Sequence, residues 1–218
     1  MEARMHKIDS QLTRDKVVAE LRRDILYGNI KANQELYQDK IAEELGVSRM
    51  PVREALQVLH NDGPITVKPN KIAKVNEISD KFIHDHFEIR TLLEQEAVKL
   101  VCRKNLDLKP LWDSYYAAEK AIKSNNFTQF NDFNREIHYF IWHAADNLPL
   151  EHILSQLWNS VIIDDTMAKE YVKASNVDHR LIIECLEKHD EKGASSAITA
   201  HVHRSYENIL KKLNATTK

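Results

Sequence analysis

The amino-acid sequence predicts a mainly α-helical protein, and three observations carry that reading. Only 4 Gly and 5 Pro punctuate 218 residues, too few for the turn-rich architecture of a β protein. Charged residues make up 29% and apolar ones 43%, a balance that suits long amphipathic helices over packed cores. Apolar residues recur at helical spacing along most of the chain, and strict alternation is confined to one short stretch.

Taken in order, Val17, Val18, Leu21, Ile25 and Leu26 share one face of a helix over 15–27, which Gly28 ends. A link through Asn33 and Gln34 leads to a second helix over 39–45, with Ile41, Ala42 and Leu45 on one side and Gly46 as its stop. Ser48 is placed to cap a third helix running to about His60, and Pro51 is tolerated there because first-turn amides need no intrahelical partner. Two helices joined by a glycine-containing turn have helix-turn-helix spacing. Residues 65–68 and 72–75 alternate apolar and polar around Pro69-Asn70-Lys71, a small β-hairpin in the position of a wing. The boundary near Glu77–Ser79 then gives a winged helix-turn-helix domain over 10–76 and an all-α domain over 78–214. Six helices are expected in the second, over 79–104, 107–124, 126–146, 149–170, 174–190 and 191–213, with breaks at Asn105, Asn125, Pro149, Asn176 and Gly193.

The formal net charge is −2, but it divides unevenly. Residues 1–76 hold 13 Lys+Arg against 11 Asp+Glu, leaving 18 against 22 for the remainder. Such a chain can carry a DNA-binding head on an acidic body. Histidine divides more sharply, with nine of eleven after residue 76. Cys102 and Cys185 sit in helical patterns, outside Cys-x-x-Cys spacing, and read as free buried thiols in a reducing compartment. No charge-free stretch approaches a membrane span and the N-terminus lacks an apolar signal core, so the expected location is the cytoplasm.

Ser48, Arg49 and Arg53 fall at the start of the third helix, where exposed amides and the positive dipole end favour phosphate. Arg49 and Arg53 are one turn apart, and arginine can make bidentate contact to guanine O6 and N7. The string Gly46-Val47-Ser48-Arg49-Met50-Pro51-Val52-Arg53-Glu54-Ala55-Leu56 resembles the recognition-helix signature of the GntR family of regulators. The likeness extends upstream through Leu21-Arg22-Arg23-Asp24-Ile25-Leu26-Tyr27-Gly28 and downstream through Leu59 and Asp62-Gly63. It implies that Arg49 and Arg53 contact bases or phosphate, that Ser48 contacts phosphate, and that the wing residues Asn70 and Lys71 reach the minor groove or backbone. It departs at Ala32-Asn33, where family members carry Pro-Gly, at Pro64-Ile65 for Leu-Val, and at Asn70 for a wing-tip glycine. A contact arginine that some members carry on the second helix falls near Asp39.

The second domain resembles the all-helical FCD ligand-binding domain of the FadR-like branch, in its shorter VanR-like form. Phe87-Glu88-Ile89-Arg90 with Leu93-Glu94, Asn134-x-x-x-His138, Asp146-Asn147, Asp178-His179 and His201 carry that likeness. It implies a divalent metal, zinc or nickel by the imidazole-rich set, on Asn134, His138, His179 and His201. Asn134 and His138 are i and i+4, so one helix face presents both. His201 and His203 project about 200° apart, so only one can join. Asn134 stands where the family usually has aspartate, which leaves the charge of the ion uncompensated. His84, His86, His143, His152, His189 and His203 are read as packed or solvated side chains. Arg90 occupies a family position that faces the effector cavity, and a salt bridge to Glu94 is the competing reading.

Together these readings predict a DNA-binding transcription regulator of homodimeric form, a repressor by the commonest family pattern. Its partners are double-stranded DNA with a pseudo-palindromic operator and a small organic acid effector. The sequence presents no Glu or Asp as an evident general base, so it is not read as an enzyme. The alternatives are a metal-dependent enzyme using the three histidines and a direct metal sensor with no organic effector.

Overall fold

The computed structural model describes residues 10–26, 28–68, 72–158 and 168–216. The chain divides into two compact units, Met1–Ile78 and Ser79–Lys218.

In the first unit the elements run α1 (Ser10–Leu26), β1 (Glu35–Leu36), α2 (Gln38–Leu45), α3 (Arg49–Asp62), β2 (Ile65–Val67) and β3 (Ala73–Val75). The helical spacing of the sequence is spent on one core: Val17, Val18, Leu21 and Ile25 of α1 meet Val52, Ala55, Leu56 and Leu59 of α3, with Ile65, Ala73 and Val75 from the strands. The short α2 enters this core through Ile41 and Ala42, while Leu45, expected to join them, lies at its end and is 38% exposed. Gly46 (φ 63) then turns the chain in left-handed backbone, its N–H closing on Ala42 and Glu43 carbonyls, and α3 departs at once. Ser48 occupies the N-cap position of α3 but its hydroxyl makes no capping hydrogen bond. Arg22 is buried in α1 and pairs with Asp62 at the far end of α3. Burial lowers the pKa of this guanidinium, and Asp62 acts in the opposite direction.

The three strands form an antiparallel sheet in the order β1-β3-β2. Ile65 faces Val75 and Val67 faces Ala73, and Lys68 N–H donates to the Ile72 carbonyl at 2.9 Å. β1 was not foreseen, because two residues are too few to show any period. Its approach depends on Asn33 (φ 69), whose N–H donates to the Val75 carbonyl at 2.8 Å. Asparagine tolerates left-handed backbone, so it serves where glycine is usual.

The second unit holds α4 (Asp80–Cys102), α5 (Lys109–Lys123), α6 (Phe127–Ala144), α7 (Leu148–Leu157), α8 (Ala168–Glu187) and α9 (Glu191–Thr216). Side-chain caps start four of them: Ser79 accepts from Phe82 N–H, Asn126 from Gln129 N–H, Asn147 from Leu150 N–H and Asp190 from Gly193 N–H. Left-handed Asn125, Asp146 and His189 turn the chain beyond α5, α6 and α8, work that glycine does in most proteins. Helix α4 packs along α9, α5 against α6, and α8 against α9.

Two expected breaks are absent. Asn176, expected to separate two helices, is buried inside α8, where packing outweighs its modest helix propensity. The helix expected over 149–170 is α7 and the beginning of α8, and its stretch 159–167 lies outside the described residues. Gly193 is also helical, within α9. Its N–H donates to Asp190 Oδ1 at 2.9 Å, and a Cβ there would collide with the Asp190 carboxylate and stand 2.8 Å from Cys185 Sγ. Gly193→Ala is therefore expected to destabilise the unit by roughly 1–3 kcal/mol through overpacking, read as a lower urea midpoint at unchanged slope.

Cys102 is buried and Cys185 half-buried, both as free thiols. Among the described residues no helix is long and apolar enough to cross a membrane.

Candidate metal centre and nucleic-acid interface

Three helices deliver one histidine each to the interior of the second unit. His138 comes from the buried face of α6, His179 from α8 and His201 from α9, and all three are buried. One ligand-type nitrogen from each lies within 4.8 Å of the others. His138 Nε2 and His201 Nε2 are 3.0 Å apart, and the His179 ring centre is 4.5 Å from that of His201 and 5.6 Å from that of His138. Asn134 is buried one turn before His138 on the same helix.

The nitrogen inventory tests whether a cation fits. Both ring nitrogens of His179 are buried with no hydrogen-bond partner, an arrangement that costs about 1–3 kcal/mol for each group left unsatisfied. Two imidazole nitrogens facing each other also offer lone pairs to one centre. Burial, then the neighbouring His201 and His138, holds the His179 pKa well below its usual 6.5. Burial likewise brings His201 down to about 4, against the opposing pull of Asp178. Both rings are therefore neutral near pH 7, the form that ligates metal. The donor set fits a divalent ion.

Behind the cluster lie two carboxylates and a guanidinium. Glu94 of α4 is fully buried, with Oε1 3.1 Å from His138 Nδ1, and its other oxygen accepts from Trp142 Nε1 at 2.8 Å. Asp178 Oδ2 stands 3.8 Å from His201 Nδ1 and is held by Arg204 at 2.8 Å. Each carboxylate thus lies on the Nδ1 side of a ring, although neither Nδ1 makes a hydrogen bond. Arg90 is buried beside them, 3.4 Å from Glu94 Oε1, with its guanidinium 4.9 Å from the centre of the Trp158 ring. The salt bridge to Glu94 is formed, and its position puts a cationic group near the histidines. Trp142 and Trp158 rings flank His138.

Sequence reasoning missed the roles of Glu94, Asp178 and Trp142. Asp178 carried a signal as the neighbour of His179, but nothing in the sequence links Glu94 to His138, 44 positions on.

In the first unit, Ser48, Arg49 and Arg53 are exposed at the start of α3, whose opposite face is core. Arg49 is paired: its Nε lies 2.7 Å from Asp39 Oδ1 of α2. Asn70 and Lys71, assigned to the wing tip, lie outside the described residues.

The family model for bacterial regulatory proteins of the gntR family matches residues 13–75, and that for the FCD domain matches residues 85–204, more than half of the chain. The protein belongs to the GntR family, with an FCD domain. This regulator is 25% identical over 201 residues to the HTH-type transcriptional regulator YdhC of Bacillus subtilis strain 168, covering 87% of this chain and 88% of that protein. It is 24% identical over 194 residues to the HTH-type transcriptional repressor RspR of Escherichia coli K12, covering 87% of this chain and 85% of that one. The solved structure of E. coli McbR/YncC shares its fold, with a TM-score of 0.71 at 22% identity over 95% of this chain and 100% of that chain. GntR regulators bind DNA and FCD domains bind small-molecule effectors. The protein is a DNA-binding transcriptional regulator and not an enzyme.

Proposed function

We propose that this GntR regulator is a cytoplasmic, homodimeric repressor whose operator affinity is set by a small carboxylate effector bound beside a divalent metal ion in the helical unit. The observation that carries the reading is the convergence of His138, His179 and His201 in the buried interior, with both nitrogens of His179 unsatisfied. Zinc(II) or nickel(II) suits such a donor set, with the amide oxygen of Asn134 as fourth ligand. When bound, the ion supplies coordination positions that an anionic oxygen can occupy. The chain's own contribution is to keep His179 and His201 neutral, to set Glu94 and Asp178 on the Nδ1 sides of His138 and His201, and to hold the Arg90 guanidinium where it attracts an anion. Neutral ligands leave the +2 charge uncancelled, which favours an anionic effector and weakens retention of the ion relative to an aspartate at position 134.

On the DNA side, a dimer presents two α3 N-termini to the half-sites of a pseudo-palindromic operator, with Ser48, Arg49 and Arg53 contacting DNA and Asn70 and Lys71 at the wing. Effector control follows from different effector affinities in the DNA-competent and incompetent poses.

Elemental analysis of gently purified protein tests the metal reading. About one zinc or nickel per chain is expected in wild type and none in a His138→Ala/His179→Ala variant, with Asn134→Asp retaining the ion against dilute chelator better than wild type. No metal in wild type after reconstitution overturns the four-ligand assignment. Loss of DNA binding on adding the ion alone, with no response to carboxylates, identifies a direct metal sensor instead.

A further inference from the structure

The contact between Asp39 and Arg49 joins the two helices of the helix-turn-helix at their exposed N-terminal ends. Arg49 is the first residue of α3 and Asp39 lies in the first turn of α2; their side chains are 68% and 70% exposed and meet at 2.7 Å, Nε to Oδ1. In water such a pair contributes little to stability, so its interest lies in what it does to the arginine. A guanidinium has five N–H donors in a rigid fork. The nearest approach of the carboxylate is to Nε, at the side of that fork, rather than to the terminal Nη1 and Nη2. Those are the donors that match guanine O6 and N7 end-on.

We propose that Asp39 is a specificity-determining residue: it braces Arg49 so that the guanidinium reads a guanine in each operator half-site. The inference rests on α3 being the recognition helix and goes beyond it by naming the residue that selects between two uses of Arg49. An unbraced arginine at a helix start can swing to the nearest phosphate, which attracts it regardless of sequence. Asp39 opposes that swing twice. Its negative charge repels a phosphate drawn toward Arg49, and the ion pair confines a side chain that otherwise samples many rotamers. The brace lowers affinity for DNA in general and raises discrimination at one base pair.

The test uses the full-length protein and a pool of duplexes with a randomised centre, selected and sequenced with wild type, Asp39→Ala, Asp39→Asn and Arg49→Ala. Wild type is expected to enrich a guanine at a fixed position in both half-sites. Asp39→Ala should lose about tenfold of that preference while binding unselected duplex more tightly, and Asp39→Asn should fall between. Arg49→Ala should lose the preference at the same position. If Asp39→Ala binds every duplex more tightly with the guanine preference intact, Asp39 is only a general negative charge and the brace is overturned, whereas the recognition helix stands. If Arg49→Ala selects the same sequences as wild type, the recognition-helix reading itself fails.

Discussion

Replacing Glu94 by alanine is expected to destabilise the helical unit by about 3–5 kcal/mol, the penalty for stripping the partner from a buried charge. Glu94 has no exposed surface. Its carboxylate serves Trp142 Nε1 at 2.8 Å, His138 Nδ1 at 3.1 Å and Arg90 at 3.4 Å, and alanine removes all three at once. Glu94→Gln retains the volume and one carbonyl acceptor, so it should lose less. Urea denaturation of the metal-free protein reads the difference, and an unchanged midpoint for Glu94→Ala would refute the role given to this carboxylate. The same group sets an acid limit. Burial alone would raise its pKa, but His138, then Arg90 and Trp142, reverse this and bring it down from 4.5 to about 2. A carboxylate depressed in the folded state contributes stability that is complete above about pH 4.5 and drains away as pH falls toward 2. Wild-type stability should therefore decline across that window more steeply than that of Glu94→Gln.

The second large effect is on DNA. Arg49→Ala combined with Arg53→Ala is expected to weaken binding to a selected operator about a hundredfold, since each well-placed arginine accounts for roughly a tenfold preference or more. Both side chains are exposed, so the unfolding transition should stay where it is in wild type. Removing two cations should also flatten the dependence of the logarithm of affinity on the logarithm of salt concentration by about two. Titration by fluorescence anisotropy at several salt concentrations measures both. Wild-type affinity in the double variant would show that some other surface reads the operator.

The parts legible in the sequence are those governed by local rules. Val52, Ala55, Leu56 and Leu59 recur at helical spacing and all four are buried in the core, and Gly46 and Gly63 close helices in left-handed backbone. Where the fold escaped the reading, packing overrode a local preference. Asn176 looks like a helix breaker but is buried in α8, and Gly193 looks like a stop but is a point of close approach to Asp190 and Cys185. The site divides in the same way. Asn134 and His138 share a face by spacing alone, whereas His179 and His201 entered only through resemblance. The contacts of Glu94 with His138 and of Asp39 with Arg49 were invisible, because each joins residues on different helices and no periodicity records them.

The last residues of the first unit are tied down individually. Asn76 is fastened within the first unit, its side chain donating to the Gly63 carbonyl at 2.7 Å and accepting from Thr66 Oγ1 at 2.9 Å. Ile78 packs against that unit's core, and the next residue, Ser79, already caps α4. Each unit thus secures its own end of the chain here, Asn76 and Ile78 within the first and Ser79 at the first turn of α4.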